Sequence, residues 1–76
     1  MVATIISIQR KLSNYGGYYF LVCFKGEDGK SYITYIYPRL RNYKRWKPLL
    51  KEGITLSGLN IIKKNLIDAD SEIEEK

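Results

Sequence analysis

Two aromatic-rich runs constrain this chain more than anything else in it. Residues 18–25 read YYFLVCFK, residues 30–37 read KSYITYIY, and only Gly26-Glu27-Asp28-Gly29 separates them. Aromatic and β-branched residues at this density suit a pleated, half-buried surface, so the runs predict two antiparallel strands. Glu27-Asp28-Gly29 fits a type I turn followed by a left-handed Gly29, the three-residue hairpin loop with a bulge. On that register Phe20, Val22, Phe24, Tyr32, Thr34 and Ile36 share one face. Tyr19, Leu21, Cys23, Ile33, Tyr35 and Tyr37 share the other. A two-residue turn at Asp28-Gly29 would flip the second strand relative to the first. Tyr35 and Tyr37 stay together in either case, because they are two residues apart.

Pro38 ends the second strand, since it cannot donate to a ladder. The segment that follows, RLRNYKRWK, carries Arg39, Arg41, Lys44, Arg45 and Lys47 with no acid between them. Leu40, Tyr43 and either Trp46 or Lys47 fall at helical spacing, with Leu50 one turn on, and Pro48 stops a longer helix. A short helix or irregular connector is expected over residues 39–46. Upstream, residues 2–10 alternate as a half-buried strand, with Val2, Thr4, Ile6 and Ile8 on one face. Residues 11–17, KLSNYGG, form a loop with Tyr15 at its tip, either a lid over a bound base or a ring folded back on the body. Downstream, residues 54–60 and 61–68 read as two further strands. Lys63-Lys64-Asn65 is either the exposed part of the last strand or a turn, and Gly58 marks a bulge or tight bend.

A chain of 76 residues is one domain, expected as a body over residues 1–68 and an acidic, flexible tail over 69–76. Charge divides along nearly the same line. Residues 1–67 hold twelve Lys/Arg against Glu27, Asp28 and Glu52, whereas residues 68–76 hold five acids and Lys76. The body attracts polyanions, of which nucleic acid is the commonest. The tail either lies in the basic groove and competes with nucleic acid or is a solvated terminus. Ser71 with Glu74 fits a capping box for a short helix, but eight residues do not hold a helix without docking.

Composition narrows the chemistry further. The chain contains no histidine and one cysteine, Cys23, expected as a buried inert thiol. Ser-His-Asp and Cys-His nucleophile systems are excluded, and a zinc site would need carboxylates alone. The body holds only three acids, too few for the converging carboxylates of a two-metal nuclease, so no enzyme activity, metal or cofactor is expected. A lone thiol suits a reducing, cytoplasmic compartment. No apolar run approaches the ~18 residues of a membrane span, and the first residues carry their charges after the apolar run, the reverse of a signal peptide.

The order strand, loop, long hairpin, short connector, two strands resembles the OB-fold, a five-stranded Greek-key barrel. The residues that carry the resemblance are the hairpin over 18–38, LLKEG at 49–53 and ITLSGLNIIKKNLID at 54–68. The chain looks like the small OB-fold single-stranded-DNA-binding and replication accessory proteins of phages and other mobile genetic elements. It departs from full-length bacterial proteins of that kind in being shorter and in lacking their hydrophobic terminal dipeptide. The resemblance implies an all-β fold with one short helix and a sequence-tolerant, non-catalytic grip on single-stranded nucleic acid, in DNA replication or recombination. Tyr19, Tyr35, Tyr37 and Tyr43 are the candidate aromatic contacts; Lys25, Lys30, Arg39, Arg41, Lys44, Arg45 and Lys47 are the candidate phosphate contacts, with Lys63 and Lys64 behind them. Trp46 either stacks a base or packs as an anchor, and packing is the expected role. The alternative is an accessory subunit that binds a polymerase, primase or helicase through the same surface, because Tyr, Trp and Arg are also the residues of protein hot spots.

Overall fold

A computed structural model describes all residues, 1–76. The hairpin forms as its composition dictates: β2 (Tyr18–Gly26) pairs with β3 (Ser31–Ile36) with Phe20 opposite Ile36, Val22 opposite Thr34 and Phe24 opposite Tyr32. This is the three-residue-loop register, closed by the Gly26 N–H donating to the Lys30 carbonyl at 2.8 Å, with Gly29 at φ +81°. The expected alternation puts Phe20, Val22, Phe24, Tyr32, Thr34 and Ile36 on the core side, five of the six buried and Phe20 packed partly buried against them.

On the other flank of β2 runs β1 (Ala3–Leu12), which ends two residues later than expected. Its ladder slips between Ile5 and Ser7, leaving Ile6 as the extra residue of a bulge. The slip exchanges faces. Ala3 and Ile5 are buried before it, Ile8 packs on the core after it, and Ile6 turns outward. The uninterrupted alternation expected over residues 2–10 therefore holds only up to the bulge.

Beyond Pro38 a turn leads into α1 (Tyr43–Trp46), followed by a 3-10 turn at Lys47–Leu49. Trp46 is fully buried with its ring centroid 6.4 Å from that of Phe24, and its Nε1–H donates to the Ala69 carbonyl at 2.8 Å. The packing role expected for Trp46 is the one it has. Leu40, Tyr43, Leu49 and Leu50 border the same core, so the connector lies on the core side of the sheet.

The closed five-stranded OB-like barrel does not form. Instead β4 (Thr55–Ser57), β5 (Ile61–Lys63), β6 (Leu66–Ile67) and β7 (Glu74–Glu75) complete a seven-stranded sheet in the order β5-β6-β3-β2-β1-β4-β7. It curls around the core as an open half-barrel whose two edges do not meet. The cause lies in the segments read as two long strands. The strand expected over 54–60 ends at Ser57, because Gly58 adopts φ +80° and turns the chain away. The strand expected over 61–68 breaks at Lys64, φ +30°, into the small β5–β6 hairpin, which joins β3 through β6. The free flank of β4 is then taken by β7, so nothing remains to close the seam.

Residues 69–76 are not a separate tail. Ser71 and Ile73 are buried, and Glu74 and Glu75 pair with Ser57 and Leu56. The segment is stitched to α1: the Asn42 amide donates to the carbonyls of Ala69 and Ser71 at 3.0 and 3.1 Å. The Ser71 hydroxyl donates to the Asp68 carbonyl and accepts from the Asn60 N–H. No capping-box helix forms there, and Glu74 and Glu75 are held on the β7 edge of the sheet. No helix is long and apolar enough to cross a membrane.

Candidate nucleic-acid interface

The face of the sheet turned away from the core is covered by nothing. Along β2 and β3 it presents Tyr19, Leu21 and Cys23 beside Ile33, Tyr35 and Tyr37, because strand side chains alternate and the other half of each strand is committed to the core. The three phenol rings gather at one end. Tyr19 stacks on Tyr37 with centroids 5.2 Å apart and 29° between planes, and meets Tyr35 edge-on at 6.1 Å. Tyr35 is 39% exposed, and Tyr19 and Tyr37 are half-buried against each other. None of the three makes a side-chain hydrogen bond within the chain. Leu21, Cys23 and Ile33 form a half-buried apolar strip beside them. Cys23 is thus not a core thiol; it lies on this uncovered face.

Of the expected cations, one stands with the rings. The Arg39 guanidinium lies 5.9 Å from the Tyr37 ring centroid, in cation–π range, and is otherwise exposed. Lys25 shares the outer face but sits six residues along β2 from Tyr19, roughly 20 Å at strand rise. Lys30 closes the hairpin turn at that same far end. Arg41 is exposed on the turn leading to α1. Lys44, Arg45 and Lys47 are exposed on the connector, across the sheet from the tyrosines. Tyr43 leaves the candidate set: it borders the core, and burial raises its phenol above the ordinary value of 10.0. The continuous basic stripe expected beyond Pro38 is therefore divided between two sides of the sheet, because Trp46 pins α1 to the core.

The structure adds residues that the sequence reading passed over. Lys11 stands opposite Tyr19 on β1, extending the row of Tyr19 and Tyr37 by a cation. Its signal was available, as Ser7, Gln9 and Lys11 continue one strand face past the point where the strand was expected to stop. On the reverse face Tyr18 meets Phe20 edge-on at 5.5 Å and lies under the Arg10 guanidinium at 5.5 Å. Tyr15 does not fold back on the body: it stands clear, 93% exposed. Its loop is closed by the Ser13 N–H donating to the Gly17 carbonyl at 3.0 Å and by the Gly16 N–H donating to Ser13. Between this loop and the chain at Tyr37–Arg39 lie two adjoining clefts of about 330 and 250 Å³. Both are lined by Ser13, Tyr15, Tyr37 and Arg39, the larger also by Tyr18 and the smaller by Tyr19.

Comparison with protein-family models, with curated proteins and with solved structures finds no match to this chain.

Proposed function

We propose that this protein binds single-stranded nucleic acid, without catalysis, on the open face of its sheet. One observation carries the reading: Tyr19, Tyr35 and Tyr37 are gathered on a face that no other element covers, with Arg39 and Lys11 at their margin. Unpaired bases stack on such rings irrespective of sequence, and tyrosine keeps its hydroxyl in water while its ring is covered. The excess of cations over acids in residues 1–67 supplies attraction at a distance, which Arg39, Lys11 and Lys25 turn into phosphate contacts along the face.

The test is fluorescence anisotropy with a labelled oligothymidylate across a salt series. Binding should weaken as salt rises, by about 0.7 log unit per log unit of salt for each phosphate contacted. Tyr35→Ala should cost roughly 1–3 kcal/mol of binding, the range for loss of one stacked base. Binding that ignored Tyr35→Ala and Tyr37→Ala together would sink the stacking face.

The apolar strip of Leu21, Cys23 and Ile33 favours a second reading, in which the same face docks on a protein as an accessory subunit of a polymerase, primase or helicase. Aromatic anchors beside a half-buried apolar floor are what a protein interface uses at its centre. No detectable oligonucleotide binding at low salt would leave that reading in possession of the face.

A further inference from the structure

The two clefts under the Ser13–Gly17 loop differ from the open platform. The platform is a surface; the clefts are concave, and the walls of both include rings from two separate chain segments. Tyr15 comes from the loop and Tyr37 from the end of β3, with the Arg39 guanidinium beside Tyr37. Nothing in the folded chain explains Tyr15 as a packing residue, since it is 93% exposed and no core residue requires it. Aromatic walls accept a planar ring, and a guanidinium at their margin accepts an oxyanion, so the complementary ligand is a planar heterocycle carrying a phosphate. A volume of about 330 Å³ lies at the small end of ligand pockets, suited to one such unit rather than several.

We infer that this cleft is a single-nucleotide subsite, taking one base between Tyr15 and Tyr37 and its phosphate on Arg39. The nucleotide is either the terminal unit of a strand or a free mononucleotide; the chemistry is the same. In the first form the inference deepens the proposed function and rests on it: the smaller cleft opens beside Tyr19, so a strand stacked on the platform runs into the loop, where Tyr15 receives its end.

An amide NMR titration of the intact chain tests this, with thymidine 5′-monophosphate, thymidine, and a twelve-residue oligothymidylate with and without its 5′-phosphate. The cleft predicts shifts at the amides of residues 13–17 and Arg39, and tighter binding of the phosphorylated member of each pair. Tyr15→Ala should weaken binding by about 5- to 150-fold, the span of one stacked base. Because Tyr15 is exposed, the variant stays folded and its spectrum serves as the control. Arg39→Gln should abolish the preference for phosphate. Preferential capture of the phosphorylated oligomer over the mononucleotide identifies a strand end, and the reverse identifies a free nucleotide. If the mononucleotide shifts the loop amides while no oligomer binds, the subsite stands and the strand-binding reading fails. If the oligomer binds at Tyr35 with the loop amides unmoved, or Tyr15→Ala changes affinity less than twofold for every probe, the subsite is overturned and the strand-binding reading survives.

Discussion

On one side of the β2–β3 hairpin, Phe24, Val22 and Ile36 are sealed with Trp46 in the core, and the polar groups of the side chains that line it are hydrogen-bonded. The Thr34 hydroxyl donates to the Ile67 carbonyl, the Trp46 N–H to Ala69, and the Tyr32 hydroxyl to Asp28. On the other side, one residue away along each strand, the hydroxyls of Tyr19, Tyr35 and Tyr37 have no hydrogen-bond partner in the chain. Each face of the hairpin carries three aromatic rings, Phe20, Phe24 and Tyr32 on the first and Tyr19, Tyr35 and Tyr37 on the second. The faces differ in what covers them: the connector and residues 69–73 for the first, water for the second. Aromatic content therefore says little about where a core lies. The difference shows that residues of one strand serve two separate purposes, folding on one face and, in the reading advanced above, recognition on the other.

The sharpest way to break this contrast is to truncate one ring on each side. Phe24→Ala should destabilise the fold by about 3–5 kcal/mol, the cost of an emptied aromatic site in a packed core. For a chain of this size that is most of the available stability, so urea unfolding should show little native baseline. Tyr35→Ala should change stability by no more than about 0.5 kcal/mol, as for surface positions generally. A large loss at Tyr35 would mean that the open face is structural after all.

A second substitution uncovers the core face without touching the open one. Gly58 holds φ +80°, and a Cβ there would run into the Glu72 carbonyl oxygen. Gly58→Ala should cost at least about 1–2 kcal/mol for the left-handed backbone alone. The displaced segment would carry β7 off β4 and expose Ile73, seen as loss of amide-exchange protection over residues 71–76. Oligonucleotide affinity at low salt should be retained, because Tyr19, Tyr35 and Tyr37 lie on the opposite face of the hairpin from the segment, which pairs only with β4. Parallel loss of both properties would show that the faces are coupled.

How much of this was legible in the chain differs from element to element. The hairpin register was legible as one of two, since Gly29 fits either turn, and the three-residue loop is the one that forms. The pairing of Tyr35 with Tyr37 was legible from the period of two, whereas Tyr19 joins them only in that register. The exchange of faces at Ile6 was not, since a bulge is a backbone event and Ile5-Ile6 offers apolar residues to either side. The closed barrel was expected because residues 54–68 were read as two long strands. Gly58 and Lys64 interrupt them, and only the backbone angles show that both residues turn rather than continue. The C-terminal residues misled through their charge. Asp70-Ser71-Glu72-Ile73-Glu74 alternates acid with a small or apolar residue, and that period puts Ser71 and Ile73 inside while the acids stay wet. The cations beyond Pro38 were assigned to the tyrosine face by proximity in sequence. Their actual side is set by the tertiary anchoring of Trp46, which no local pattern contains.

The smallest expected effect concerns the rim where the core face meets solvent. Tyr32 belongs to the core side, yet its hydroxyl reaches the hairpin turn and donates to Asp28 Oδ2 at 2.6 Å, while the Lys30 N–H donates to Oδ1 at 3.0 Å. The Tyr32 hydrogen bond, followed by that from the Lys30 backbone, holds the Asp28 carboxyl below its ordinary 3.8; the same bond raises the Tyr32 phenol above 10.0. A depressed carboxyl contributes stability that is complete above the unfolded value and is lost as pH falls through the folded one. A raised phenol contributes stability that is complete below the unfolded value and is lost as pH rises through the folded one. The pair should therefore act fully between about pH 4 and pH 10 and fade on both sides of that window. Asp28→Asn removes the charged acceptor, and all other titrating groups are common to both proteins. The difference in melting temperature between wild type and variant should be level across the window and shrink toward both extremes. No difference even inside the window would show that the turn is held by its backbone alone, and that the core face needs no polar closure at its rim.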